Sequence, residues 1–256
     1  LGAPPQPTNS RAAQALGGSL SRVALVSGSA VGIGRAILLA LARHGFDVVV
    51  HYRTSAQEAQ ATLQEVQGLG RRAIALQADL TRPEEAQKLI HNTLDAFGAL
   101  HVLVNNVGDY LHQPIEEVSP EAWRAILDSN LNATFYLTQA ALPHLLAAGW
   151  GRVVNLGYAG AQNLLARPGI TAYAIAKTGV ILYSKALAKR LAGRGVTVNV
   201  VAPGVAENSV SKPVEEIPAG RLARLEEIAH AVLFFVDEAS SYLTGQVLEV
   251  AGGWNL

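Results

Sequence analysis

The sequence predicts an α/β fold built on a doubly wound parallel sheet, and three observations carry that expectation. Short apolar runs alternate with longer helical patterns along nearly the whole chain. Most of these runs are continuously apolar rather than alternating, as strands covered on both faces should be. A glycine turn, Ser27-Gly28-Ser29-Ala30-Val31-Gly32-Ile33-Gly34, joins the first run to the first helical pattern. In open sheets such turns sit at the carboxyl ends of strands, where ligands bind.

In chain order, strands are expected over residues 22–27, 47–52, 72–77, 101–105, 152–156, 196–201 and 246–250. Helices are expected over 32–44, 56–69, 83–97, 120–148, 170–191 and 226–236. Pro83 and Pro120 suit the first turn of a helix, with Thr81 and Ser119 nearby as caps. The 256 residues, half of them apolar, suffice for one large core, and residues 22–256 read as one domain. Residues 1–21, with Pro4, Pro5, Pro7, Gly17 and Gly18, read as a flexible leader. They lack a basic start followed by an apolar stretch, so they do not read as a secretory signal, and a cytoplasmic location is the default expectation.

Composition excludes several classes of function. Twenty basic and 20 acidic residues cancel, which removes the electrostatic case for nucleic acid or an acidic membrane surface. No apolar run approaches the roughly 18–20 residues of a membrane helix. Without cysteine there are no disulfides or thiolate metal sites, and the seven His residues show no ligand spacing, so no metal site is predicted.

Gly28, Gly32, Ile33 and Gly34 follow a strand and open a helix, where bare backbone and free N–H groups suit a dinucleotide pyrophosphate. The second strand ends His51-Tyr52-Arg53-Thr54-Ser55, without the acid that would hold the ribose hydroxyls of NAD. Arg53 and Ser55 suit a 2′-phosphate instead, which favours NADP(H) over NAD(H), and Arg35 is a further candidate to help. Asp79, followed by Leu80, suits either an adenine amino group or a cap for the helix at Pro83. Asn105-Asn106-Val107-Gly108 ends the fourth strand, where its amides suit either bracing strands or lining a cofactor, and Pro203-Gly204 follows the sixth, suiting either a backbone approach to the nicotinamide or an ordinary loop. Asp109, Tyr110 and His112 follow the fourth strand, either at the mouth of the site or facing solvent.

Tyr173 and Lys177 are four residues apart and share a helix face. A free phenol, with a pKa near 10, is a poor acid–base group at neutral pH, and a neighbouring ammonium is expected to lower it. Such a pair can protonate a carbonyl oxygen as hydride reaches its carbon.

Gly28/Gly32/Gly34, Asn105-Asn106-Val107-Gly108, Asn130, Tyr173-x-x-x-Lys177 and Pro203-Gly204 together resemble the short-chain dehydrogenase/reductase family, over about residues 22–254. The resemblance implies a Rossmann-type domain with a seven-stranded parallel sheet, and a homotetramer. It implies Tyr173 as the acid–base catalyst, Lys177 on the nicotinamide ribose, and Asn130 holding a water in the proton relay. Two positions depart from the family pattern. The Asp that usually precedes the paired glycines is Ala251. The Ser that usually follows the fifth strand is missing, with Tyr158 at its slot and no Ser or Thr from Gly157 to Ile170. Tyr158, Gln162 or Asn163 could supply the missing hydrogen bond; alternatively Tyr158 only packs and a donor is lost, at a cost of about 2.7–4 kcal/mol of transition-state stabilisation.

The pattern is similar to β-ketoacyl-acyl carrier protein reductases, and implies NADPH-dependent reduction of a ketone, with a 3-oxoacyl thioester as the favoured substrate. The run His51-Tyr52-Arg53-Thr54-Ser55 is also similar to pteridine reductases, although those place an Asp where Tyr158 stands. A non-catalytic NADP(H)-binding sensor or partner is the third reading.

Overall fold

The computed structural model describes residues 21–255; residues 1–20, most of the expected leader, lie outside the described residues. The strands are β1 (Val23–Val26), β2 (Asp47–Tyr52), β3 (Ala73–Gln77), β4 (Val102–Asn105), β5 (Gly151–Leu156), β6 (Val196–Pro203) and β7 (Val247–Val250). The helices are α1 (Gly32–Arg43), α2 (Ala56–Gly68), α3 (Pro83–Phe97), α4 (Pro120–Leu127), α5 (Ala133–Ala147), α6 (Thr171–Leu191) and α7 (Leu225–Val236). All strand pairs are parallel, in the order β3-β2-β1-β4-β5-β6-β7, which is the expected seven-stranded Rossmann-type sheet. The order reverses between β1 and β4, so the loops after these two strands diverge and leave a crevice.

The continuous apolar runs have a simple cause. In β1, Ala24 and Val26 face one core while Val23 and Leu25 face the other. Helices α1, α2 and α7 cover the first face, and α3, α5 and α6 cover the second. Every position of a central strand is therefore apolar, because the period-2 alternation points each residue into a dry layer. No helix among the described residues is long and apolar enough to cross a membrane.

Two expectations need correction. The long helix over 120–148 is interrupted by a π-helical turn at Asp128–Asn132, which separates α4 from α5. The extra residue in that turn places Ser129 and Asn130 inward, where their side chains bond to neighbouring backbone. Thr81 does not cap α3, since it bonds Asp79 through both its amide and its hydroxyl, and the N-cap position is Arg82 with no side-chain cap bond. Ser119 does cap α4, accepting from the Ala122 amide at 3.2 Å.

Candidate active site

A cleft of about 360 Å³ opens at the switch between β1 and β4, within the size range of small-molecule sites. The glycine turn forms its floor. Gly28 and Gly32 adopt left-handed φ values of 63° and 60°. A Cβ on Gly34 would overlap the Gly28 carbonyl oxygen and lie 2.9 Å from its carbon. Helix α1 begins without a side-chain cap, so first-turn N–H groups remain available to an anion. Asn106 braces the turn, with its Nδ2 donating to the Ser27 and Gly28 carbonyls at 3.0 and 3.2 Å. These features fit a dinucleotide pyrophosphate at Gly28, Gly32, Ile33 and Gly34.

The far end of the cleft is lined by Arg53, Thr54, Ser55, Asp79 and Leu80. Arg53 is half-exposed, and its guanidinium lies 3.8 Å from Asp109, an exposed pair too weak to fix it. Ser55 occupies the N-cap position of α2 but its side chain makes no cap bond. Arg35 does not help here, because it donates to Thr62 and pairs with Glu65. Asp79 receives both Thr81 bonds on one oxygen, so it caps its own turn rather than α3. Partial burial opposes its charge, but those bonds and the charges of Arg53 and Arg82 prevail and hold its carboxyl below the usual range.

His51 supports the cradle from below, and the sequence reading did not single it out. Its Nδ1 accepts from the Gly28 amide at 2.9 Å, and its Nε2 pairs with the Ala78 carbonyl at 3.1 Å. An acceptor at Nδ1 and a donor at Nε2 specify the neutral ring. Burial pushes its pKa down to about 4, against weaker opposing effects from Ala78 and Asp79. With the folded value about 4 and the ordinary value 6.5, the unfolded chain binds more protons between them. Stability should therefore be unaffected by His51 above pH 6.5 and fall as the pH drops towards 4. The loss should be on the order of 3 kcal/mol. Urea unfolding at pH 7 and pH 4.5 tests this: His51→Asn should lose markedly less stability across that interval than the wild type, and an equal loss would refute it.

The second group of candidates lies beyond the cleft, linked to it through Gly108, Asp109 and Tyr110. A Cβ on Gly108 would overlap Asn130 Oδ1 and lie 2.8 Å from its amide carbon, so only glycine lets these elements meet. Asn130 is buried, with Nδ2 donating to the Asp109 and Ile126 carbonyls at 2.9 and 3.0 Å, while its Oδ1 has no hydrogen-bond partner among the described residues. Tyr110 stacks edge-on against Tyr173 with ring centroids 5.1 Å apart, whereas His112 packs on Gly169. Neither Pro203 nor Gly204 lines the cleft; Pro203 ends β6 and Gly204 follows it, where a Cβ would lie 2.8 Å from the Ala251 α-carbon.

Tyr173 and Lys177 share a face of α6, the ammonium 5.8 Å from the centre of the phenol ring. A buried polar chain holds this helix to the sheet, from Asn105 through Asn155 to Ser184. Lys177 is buried and donates to the Leu156 carbonyl at 2.9 Å. Burial lowers its pKa to about 8. The expected depression of the Tyr173 pKa is not found. Burial first, then Tyr110 and Tyr158, push the phenol up, and the ammonium is turned to a carbonyl instead.

At the slot of the missing Ser, Tyr158 stacks edge-on against Tyr173 with centroids 5.7 Å apart. Gln162 is taken up by Lys185 and Asn163 by the Asn255 carbonyl, so both are engaged elsewhere.

The sequence model of the family described as Enoyl-(Acyl carrier protein) reductase matches residues 28–255. A 3-oxoacyl-[acyl-carrier-protein] reductase of Synechocystis is 40% identical over 240 residues, covering 91% of this chain and 96% of that protein. A short chain dehydrogenase from Burkholderia cenocepacia in complex with NADP superposes with a TM-score of 0.87 at 33% identity, covering 93% of this chain and 99% of the other. A blue fluorescent protein from a metagenomic library in complex with NADPH superposes equally well, TM-score 0.87, at 32% identity over 92% and 98% of the two chains. Likeness along almost the entire length, added to a glycine-floored crevice at the switch in strand order and a tyrosine–lysine pair on one face of α6, leads to one conclusion: the chain belongs to the short-chain dehydrogenase/reductase family and is an NAD(P)-dependent oxidoreductase.

Proposed function

We propose that the protein is an NADPH-dependent ketone reductase acting on a 3-oxoacyl thioester, with Tyr173 as proton donor. The observation that carries this reading is the placement of Tyr173 and Lys177 on one face of α6, the ammonium 5.8 Å from the phenol ring centre, with Tyr173 stacked on Tyr110, which follows the cleft-lining Gly108 and Asp109 in the chain. In this reading Gly28, Gly32, Ile33 and Gly34 hold the pyrophosphate, Asn106 and Gly108 flank it, and Pro203-Gly204 approaches the nicotinamide. Leu80 and Asp79 border the adenine, and Arg53 and Ser55 take the 2′-phosphate. NADPH, when bound, supplies a hydride to the keto carbon.

The chain's own part is acid–base chemistry. Burial keeps the Tyr173 phenol protonated but also makes it a weaker acid, so in this reading proton release depends on a cation that supports the phenolate. When the carbonyl oxygen takes that proton, a phenolate remains; in this reading Lys177, on the same helix face and bonded to the Leu156 carbonyl in the free protein, is the cation that supports it. Asn130, with an unpartnered buried oxygen, is suited to hold the water that returns a proton to Tyr173. Tyr158 is suited to donate to the substrate oxygen from the Ser slot.

The preference for NADPH is supported by Arg53 at the end of β2, where no acid stands, and by relatives solved with NADP and NADPH. The substrate class is supported by the Synechocystis relative, a 3-oxoacyl-[acyl-carrier-protein] reductase. A second reading, a pteridine reductase, is favoured only by the run His51-Tyr52-Arg53-Thr54-Ser55.

The test is oxidation of NADPH with an acetoacetyl thioester, run beside NADH, a dihydropterin and the Arg53→Ala variant. Turnover with the thioester and NADPH is expected. Arg53→Ala should raise the KM for NADPH roughly ten- to a hundredfold, the range for a charge-assisted bond, and hardly alter NADH. Turnover of the pterin alone would favour the second reading, and cofactor binding without turnover of any carbonyl would favour a non-catalytic role.

A further inference from the structure

Among the described residues, non-glycine residues with left-handed backbone occur at two places, Leu164 at φ 52° and Asn255 at φ 65°. Both lie at one junction. The segment between β5 and α6 meets the last described residues of the chain there, and such strain persists only where surrounding contacts enforce it. Asn255 supplies most of those contacts. Its Nδ2 donates to the Ala159 carbonyl at 3.3 Å, its Oδ1 accepts from Arg167, and its carbonyl accepts from Asn163 at 2.9 Å. Gly160, at φ 81°, admits this approach, since a Cβ there would lie 2.8 Å from that of Asn255. The Gly160 amide is tied to Glu249 on β7 at 3.0 Å.

The side chain held by this junction is Tyr158. Its ring stands edge-on to Trp254 with centroids 6.2 Å apart, and edge-on to Tyr173 with centroids 5.7 Å apart. The Arg167 guanidinium lies 5.9 Å from the Trp254 ring centre, so the group that bonds Asn255 also meets the ring that backs Tyr158. The Tyr158 hydroxyl is buried beside the Asn255 amide, and among the described residues it has no partner in good hydrogen-bond geometry. A buried donor without an acceptor costs free energy, so such a group is uncommon unless a ligand takes it up.

We propose that Asn255, Arg167 and Trp254 form a latch that positions the Tyr158 hydroxyl as the donor to the substrate's carbonyl oxygen, in the role left open by the missing Ser. The latch rests on the reading of this site as a carbonyl reductase. It explains how a phenol on a segment without secondary structure can serve as a preorganised donor: the ring is clamped by aromatic neighbours and the backbone by four side-chain or backbone bonds. Asn255, Arg167 and Trp254 are positioning residues, acting through Tyr158 rather than on substrate.

The experiment is a double-mutant cycle on the full chain with NADPH and an acetoacetyl thioester. Tyr158→Phe and Asn255→Gly are made singly and together, with melting temperature and NADPH binding by fluorescence measured for each. Glycine keeps the left-handed backbone while removing the side-chain bonds. Tyr158→Phe should lower kcat about a hundredfold. Asn255→Gly should lower kcat about tenfold with NADPH affinity unchanged, and should have no further effect in the Tyr158→Phe background. Asn255→Asp, which keeps the acceptor for Arg167, should recover part of the loss. Multiplying losses in the double variant, or full activity in Asn255→Gly, overturns the latch while the reductase reading stands. Unchanged kcat in Tyr158→Phe overturns the donor role and the latch with it, and absence of Tyr173-dependent turnover overturns the reductase reading itself. Should Asn255→Gly fail to fold, Arg167→Met takes its place in the same cycle with the same criteria.

Discussion

Tyr173→Phe is expected to lower carbonyl reduction by about 10²–10⁴-fold, the usual worth of a positioned general acid, with NADPH affinity preserved. The ring makes apolar edge-on contacts with Tyr110 and Tyr158 that phenylalanine retains, so the change removes one oxygen and little packing. Stopped-flow measurement of the NADPH absorbance with a saturating thioester separates the effects: kcat should collapse while KM for the cofactor stays put. The pH profile adds a second readout. Lys177 is charged below about 8 and neutral above it. In the proposed mechanism that charge supports the phenolate formed as Tyr173 gives up its proton, so kcat for reduction should be highest below that value and fall as pH rises through it. The residual rate of Tyr173→Phe should lack that fall. A variant that keeps its rate, or keeps the alkaline fall, would remove Tyr173 from the chemistry.

Gly34→Ala carries the second large effect. The added methyl would overlap the Gly28 carbonyl oxygen and sit near the Asn106 amide, and Gly28 cannot retreat freely because its own amide is bonded to His51. The turn must shift, at about 1–3 kcal/mol if the site behaves as an overpacked core does, which corresponds to roughly ten- to a hundredfold in NADPH affinity. Titration of NADPH by fluorescence, beside far-ultraviolet circular dichroism to confirm folding, checks this. A folded variant with wild-type affinity would show that the turn is not the phosphate cradle. By contrast, no heavy atom lies within 4 Å of where a Cβ on Gly68 would stand, so Gly68→Ala is the matched control.

The sequence made the layers of the fold legible because each layer leaves a pattern. Strand β2 falls at Asp47–Tyr52 and α3 at Pro83–Phe97, as expected, since a buried parallel strand reads as an apolar run and a first-turn proline marks a helix start. The π-helical turn at Asp128–Asn132 left no such mark, because one inserted residue does not disturb apolar periodicity enough to be read. At the site, glycine identity foretold the left-handed φ of Gly28 and Gly32. Spacing placed Tyr173 and Lys177 on one face, but not the bond from Lys177 to Leu156, 21 residues away, nor the burial beside Tyr110 and Tyr158 that raises the Tyr173 pKa instead of lowering it. His51 passed as one more member of an apolar strand, although a histidine closing such a run was the available signal. The junction at Asn255 joins residues 88 to 96 positions apart and no local pattern announces it.

The reversal of strand order between β1 and β4 has a consequence for the history of the chain as well as its shape. Ser27 bonds the Val104 carbonyl, and its hydroxyl receives the Asn106 and Val107 amides, so the crevice floor is stitched from segments about eighty positions apart. Closing so long a loop costs entropy before any of these bonds can repay it, and pairing of this kind is slow relative to local structure. During synthesis a nascent chain ending before residue 102 would contain the whole glycine turn, yet have no β4 against which to set it. Nucleotide capture thus becomes a late event in folding. A dinucleotide that binds the finished sheet and not its precursors would stabilise it by mass action, so its cellular concentration would act as a thermodynamic brake on unfolding.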